Sequence, residues 1–323
     1  MPHAIRFHET GGPEVLRWEE VEVGSPGPGE ARVRQAAIGL NFIDTYHRSG
    51  LYPLPLPAVP GSEAAGIVTA VGPGVTEVKP GDRVAYAGPV GAYAEERLVA
   101  AHRLVPLPDD VGDRVAAAAM LKGMTAQYLL RRTHRLEKGE TILLHSAAGG
   151  VGLIAAQWAK SLGATVIGTV STDAKAALAR EAGCDHVVVT SREDFVSRVK
   201  EITGGAGVRV VYDGVGKDTF AGSLDCLAPL GLMVSYGNAS GPVAPISPLL
   251  LSQKGSLFLT RPTLMAYTAK REDLLATAAD LFAVIRSGAV KVRIEATWPL
   301  REAAAAHLAL ESRKTTGSTV LLP

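Results

Sequence analysis

Residues 141–152 constrain this chain more than any other segment. Thr141, Ile142, Leu143 and Leu144 form a short apolar run that reads as a buried strand. Small residues follow, and a helical apolar pattern opens at Val151 and Gly152 and continues through Leu153, Ile154, Ala155 and Ala156. A strand, a tight turn and a helix N-terminus in this order make a cradle for a dinucleotide pyrophosphate. Backbone N–H groups and the positive helix end face the anion, and glycines let the backbone approach it. The residues of this cradle are Ala148, Gly149, Gly150, Val151 and Gly152. The usual fingerprint is G-x-G-x-x-G, whereas this chain has Ala147-x-Gly149-x-x-Gly152. With alanine in first place, the surrounding pattern has to support the reading.

That pattern alternates. Strands are expected over 141–146, 165–170, 186–190, 208–214 and 231–236, with helices over 150–161, 174–182, 192–202 and 217–228 between them. Gly163, Gly183 and Gly204 stand where helices should stop. Thr190 to Glu193 reads as a capping box for the helix at 192. Such alternation predicts a doubly wound parallel sheet, which a strand over 256–260 completes. Residues 1–119 differ. Candidate strands over 31–36 and 66–71 are punctuated by Gly11-Gly12-Pro13 and Pro80-Gly81-Asp82, giving a mostly antiparallel β domain with few helices. The tail carries a helix over 272–287, a strand over 290–297, a helix over 300–313 and a strand over 318–322, and is expected to rejoin the first domain.

At 323 residues, two domains are the expectation. Hydrophobic residues make up 47% and charged residues 20%, a globular balance, and the net charge of +1 supplies no basic excess for nucleic acid. Cys184 and Cys226 alone imply no disulfide framework and fit a reducing compartment. No long apolar stretch follows Met1, so no signal peptide and a cytoplasmic location are expected. The uncharged span 141–159 is interrupted by Ser146, Gly149, Gly150, Gly152 and Gln157, which argues against a membrane crossing.

Over essentially its full length the chain resembles the medium-chain dehydrogenase/reductase superfamily, and within it the zinc-free quinone oxidoreductases related to zeta-crystallin. The likeness rests on Asn41 to Tyr46, Pro60 to Gly66, Gly81 to Val84, Lys122 to Ala126, Ala147 to Gly152, Tyr236-Gly237-Asn238 and Thr260-Arg261-Pro262. It implies an α/β chain in which a Rossmann NADPH-binding domain (120–265) is inserted in a GroES-like, mostly β catalytic domain (1–119 and 266–323). It also implies an active site in the cleft between them, reduction of quinones by NADPH, and a homodimer joined through the Rossmann-domain edge. The positions that hold catalytic zinc in alcohol dehydrogenases correspond to Asn41 and Ser62, there is no cysteine cluster, and His47 with Glu63 makes no site, so no metal is expected.

An NAD site places an acid at the end of the second strand. Here that strand ends at Val170-Ser171-Thr172, and Asp173 reads as the N-cap of the next helix. Lys175, one turn on, and Ser171 are placed for the 2′-phosphate of NADPH, and the resemblance adds Arg313. For the nicotinamide end it implies Asn41, Thr125, Tyr236, Gly237 and Arg261. Asn41, Tyr46, Tyr52 and Arg261 are the candidate catalytic residues, the tyrosines as a wall that stacks on a quinone. Each has an ordinary alternative: solvated surface charge for Lys175 and Arg313, a buried core position for Thr125, loop packing for the tyrosines, an interdomain ion pair for Arg261. No general acid is identified, and solvent suffices to protonate a quinol anion. Rival activities are an NADPH-dependent enoyl-thioester or alkenal reductase and, from another class, a crystallin-like structural or RNA-binding protein.

Overall fold

A computed structural model describes residues 1–312 and 315–323. The chain divides into two compact units, one comprising Met1–Met124, Thr268–Arg286 and Val292–Pro323, the other Thr125–Tyr267 and Ser287–Lys291.

The first unit is organised by the long strand Glu30–Leu40, whose residues Ala31, Val33, Gln35 and Ala37 alternate inward. It pairs with three partners, antiparallel to Glu63–Val71, to Glu96–Ala100 at its start and to Ser318–Leu322 at its end. Arg83–Ala87 and Val105–Pro106 extend the sheet on one side, and Ile294–Pro299 pairs in parallel with Ser318–Leu322 on the other. The tail thus supplies two strands to the sheet of the first hundred residues. Ile5, Phe7, Val33, Ile38, Tyr86, Tyr93, Leu104, Leu300 and Leu321 lie in its core. Asp113–Tyr128, a 16-residue helix that runs from the first unit into the second and ends in a π-turn over Leu129–Thr133, is not among the elements expected from the sequence. Ala116 to Met120, Met124 and Ala126 are all buried, so the helix has no polar stripe for periodicity to register.

The second unit is a six-stranded parallel sheet in the order His186–Val189, Thr165–Val170, Thr141–Leu144, Val208–Asp213, Leu227–Ser235, Phe258–Thr260. Numbered along the chain this is 3-2-1-4-5-6, the order of dinucleotide-binding sheets, in which ligands sit beyond the carboxyl ends of the strands where the order reverses. Helices Gly150–Ser161, Asp173–Glu181, Phe195–Ile202 and Phe220–Asp225 make the crossovers. Two details of the helix starts are corrected. Thr190 to Glu193 is not a capping box: the helix begins at Phe195, and its N-cap is Asp194, whose carboxylate accepts from the Ser197 N–H at 2.9 Å. Asp173 is not an N-cap either, because Thr172 holds the extended cap conformation and Asp173 is already helical.

Candidate functional site

The cradle residues lie at the carboxyl edge of the sheet. Strand Thr141–Leu144 ends, residues 145–149 turn, and Gly149 caps the helix Gly150–Ser161. The N–H groups of Gly150, Val151 and Gly152 belong to its first turn and have no intrahelical partner. A Cβ at Gly152 would stand 2.2 Å from the Ser146 carbonyl oxygen, so only glycine allows the helix to start this close to the turn. The alanine in first place also has an explanation. Ala147 is fully buried, and on the neighbouring strand a Cβ at Gly168 would come within 2.8 Å of the Ala147 methyl. The space a first glycine would leave is supplied by the glycine across the sheet.

Beneath the turn lies a buried polar network with no signature in sequence spacing. Asp213 accepts from Val215 N–H (2.8 Å), Gly216 N–H (3.0 Å), the Thr219 hydroxyl (2.7 Å) and the Ser223 hydroxyl (3.0 Å). Ser223 thereby spends its proton, so His145 Nε2 donates to its oxygen (2.9 Å) and His145 Nδ1 accepts from Thr169 (2.9 Å). His145 is neutral, and burial lowers its pKa. The network ties together the ends of three strands that carry the cradle.

At the next strand end, Val170 is buried, so no acid stands on the strand's last residue. Ser171 is exposed, the Thr172 side chain accepts from Lys175 N–H (3.3 Å), and Lys175 is half-buried on the first turn. Asp173 pairs with Arg192 at 2.8 Å. Arg313 lies outside the described residues. Among the ends of the fourth to sixth strands, Tyr236, Gly237 and Arg261 come together. The Tyr236 ring lies against Gly214, a Cβ on Gly237 would be 2.4 Å from the Gly214 oxygen, and Arg261 donates to the Ser235 carbonyl at 2.8 Å. Thr125 is buried and hydrogen-bonds Tyr128, whose ring stacks on Tyr267 with centroids 4.5 Å apart.

In the first unit, Asn41 starts the helix Phe42–Arg48. Its side-chain nitrogen donates to Glu63 Oε2 (2.8 Å) and to the Gly39 carbonyl (3.3 Å). Both partners are acceptors only, so the amide orientation is fixed, and the Asn41 oxygen faces the Asp44 N–H in a capping box that Asp44 closes on the Asn41 N–H. Glu63 is wholly buried and also binds Lys122 Nζ (3.0 Å) and Leu121 N–H (2.7 Å). Asp44, equally buried, accepts from Asn41 N–H (2.9 Å), the Tyr93 hydroxyl (3.0 Å) and the Ser62 hydroxyl (3.3 Å), and burial pushes its pKa up to about 7. Since Tyr93 donates to Asp44, His307 Nε2 donates to Tyr93 (3.0 Å), and His307 Nδ1 accepts from Arg48 (3.0 Å). Arg48 is held by both oxygens of Glu311. Burial and the Arg48 charge lower His307 to about 3. Tyr46 and Tyr52 meet edge to face at 5.3 Å beside this helix, both half-buried.

Two family models match, the alcohol dehydrogenase GroES-like domain over residues 27–109 and the zinc-binding dehydrogenase over residues 150–282. The chain is 57% identical, over all of both chains, to a quinone oxidoreductase of Pseudomonas aeruginosa. It is 51% identical to a 2-haloacrylate reductase of a Burkholderia species, over all of this chain and 99% of that one. A crystal structure of the Escherichia coli quinone oxidoreductase complexed with NADPH superposes with a TM-score of 0.98 at 51% identity, covering 99% of this chain and 100% of that one. The chain belongs to the medium-chain dehydrogenase/reductase superfamily. Its place there is the quinone oxidoreductase branch.

The zinc in one family model's description does not fit these residues. Zinc sites use thiolate, imidazole and carboxylate donors, whereas Asn41 turns its N–H groups towards Glu63 and Ser62 spends its hydroxyl proton on Asp44. Among the described residues no helix is long and apolar enough to cross a membrane.

Proposed function

We propose that this chain is an NADPH-dependent quinone oxidoreductase, with the unit containing Thr125–Tyr267 binding the cofactor and the unit containing Asn41 serving catalysis. The observation that carries the reading is the end of strand Thr165–Val170, with a buried valine where an NAD site needs an acid and Lys175 on the first turn beyond. The quinone oxidoreductases to which the chain is similar supply the substrate class. NADPH, when bound, supplies the reducing equivalents. The N–H groups of Gly150, Val151 and Gly152 hold its pyrophosphate, with Ala148 and Gly149 giving room for close approach. Ser171 and Lys175 hold the 2′-phosphate, with Arg313 assigned by resemblance. Thr125, Tyr236 and Gly237 border the nicotinamide.

Asn41 commits its amide N–H groups to Glu63 and Gly39, so it offers the cofactor only the remaining lone pair of its oxygen and does not polarise a quinone carbonyl. Polarisation falls to the hydroxyls of Tyr46 and Tyr52, whose rings pack on a flat quinone. The likeness to the 2-haloacrylate reductase favours a second reading, reduction of an activated double bond with a tyrosine as proton donor. Turnover of a naphthoquinone, a 2-enal and 2-chloroacrylate, each with NADPH and NADH, decides between them. The quinone with NADPH should give the highest kcat/KM; a quinone rate no better than the other two overturns the assignment.

The same reading includes a cytoplasmic homodimer. Strand Phe258–Thr260 is the sheet's edge, and Phe258, Leu259, Leu230 and Leu249 are all exposed. An apolar edge of this kind suits pairing with a second copy of the chain.

A further inference from the structure

We propose that Arg192 is a specificity-determining residue for the 2′-phosphate, held in reserve by Asp173 when no phosphate is present. The inference rests on the NADPH reading above. Strand His186–Val189 runs parallel to Thr165–Val170 with Val189 opposite Val170. The pairing continues one residue further, because the Thr190 N–H (2.9 Å) and hydroxyl (3.2 Å) both donate to the Val170 carbonyl. Residues 190–192 are thereby brought beside residues 171–173, at the strand end where such folds place the adenosine ribose. There Arg192 Nη2 donates to Asp173 Oδ1 at 2.8 Å, with Glu193 more distant at 3.9 Å.

The pair is well solvated, Arg192 being 58% and Asp173 76% exposed, so it adds little to folding. Its value lies in what each member does towards a cofactor. Asp173 is the first carboxylate in sequence after the strand end that an NAD site fills with an acid, and without Arg192 it would be able to accept the ribose hydroxyls. Arg192 occupies that carboxylate and cancels its charge. A 2′-phosphate offers the guanidinium a dianion with several oxygens, a stronger partner for its planar fork than one solvated carboxylate. Arg192 therefore moves to the phosphate, while Lys175, on the same helix as Asp173, supplies the second cation. An unphosphorylated ribose gives Arg192 no reason to leave, and Asp173 stays masked. One pair thus favours NADPH and disfavours NADH.

The test is equilibrium binding of adenosine 2′,5′-bisphosphate and adenosine 5′-monophosphate, with NADPH and NADH alongside, to the full chain and two variants. Arg192→Ala should weaken the bisphosphate and NADPH about tenfold, the scale of one charge-assisted bond, and leave the monophosphate unchanged. The same variant should bind NADH at least as tightly as the native chain, because Asp173 is unmasked. Asp173→Asn should tighten the bisphosphate, since Arg192 is released and a repelling charge removed. A native chain that binds the bisphosphate no better than the monophosphate overturns the NADPH reading itself. A native preference that survives Arg192→Ala overturns only the role of Arg192, and weaker bisphosphate binding in Asp173→Asn overturns the reserve role of Asp173.

Discussion

Replacing Asp44 by asparagine isolates a titration that the intact protein conceals. The folded pKa of Asp44 is about 7 against 3.8 for a free carboxyl, chiefly because burial penalises the charged form, with nearby Glu63 adding to it and Lys122, Tyr93 and the Asn41 N–H opposing. Between those two values the folded chain holds a proton that the unfolded chain lacks, so the stability Asp44 contributes falls as pH rises. His307 does the reverse. Its folded pKa is about 3 against 6.5, so between these values the unfolded chain takes up a proton the folded chain refuses, and stability falls as pH drops. Over roughly pH 4 to 6.5 the two slopes nearly cancel. Asp44→Asn keeps the shape and the hydrogen bonds, its oxygen accepting from Asn41 N–H and Tyr93 and its nitrogen donating to Ser62, but it does not titrate. At about 1.4 kcal/mol for each tenfold change in proton affinity, the difference between 3.8 and about 7 amounts to about 4 kcal/mol. Urea denaturation at closely spaced pH should show the variant gaining about 4 kcal/mol on the native chain between pH 4 and 7. The variant should lose stability on acidification below about 6.5 more steeply than the native chain, with the buried His145 adding the same slope to both. Parallel stability curves for the two proteins would refute the reasoning.

Three further outcomes are expected. Lys175→Ala should weaken NADPH by about ten- to a hundredfold while leaving NADH unchanged, read from Kd values by fluorescence titration, and an unaltered preference removes Lys175 from the site. Glu63→Gln leaves the Lys122 ammonium buried without its counter-charge and should cost about 3–5 kcal/mol, most of it recovered by Glu63→Gln combined with Lys122→Met; a single variant as stable as the native chain contradicts the buried pairing. If the proposed dimer forms through the exposed sheet edge, Phe258→Lys should lower the mass measured by light scattering to that of one chain with the fold retained, and an unchanged mass rules that edge out as the interface.

What could be read from the sequence and what could not divide along a physical line. Strands and helices of the second unit show themselves because each buries one face against a common sheet, which leaves apolar runs of recognisable length. Helix Asp113–Tyr128 escapes because nearly every side of its middle is buried. Cap positions escape for a different reason. Thr172 and Asp173 both have side chains able to cap, and only the backbone dihedrals of Thr172 decide which one does. The polar network of His145, Thr169, Asp213 and Ser223 spans residues up to 78 apart, and no spacing rule connects them. The direction of the Asn41 amide belongs to the same class, since it depends on Glu63 across two strands.

The cradle shows how such distant couplings bear on local motifs. Ala147-x-Gly149-x-x-Gly152 looks like a fingerprint weakened at its first position when the segment is considered alone. In the folded chain that position faces Gly168 on the neighbouring strand, and the missing side chain has moved from the turn to that strand. The requirement is for one small gap between the turn and the second strand, and either side can meet it. Ala147 and Gly168 therefore form one packing unit. Gly168→Ala would set a new methyl 2.8 Å from Ala147 and 2.7 Å from the Cys184 sulfur, pressing the turn outward and away from the pyrophosphate. The second change Ala147→Gly removes the clash with the turn and leaves the one with Cys184. Recovery of cofactor affinity in that pair, with stability only partly restored, would separate the geometry of the cradle from the packing beneath it.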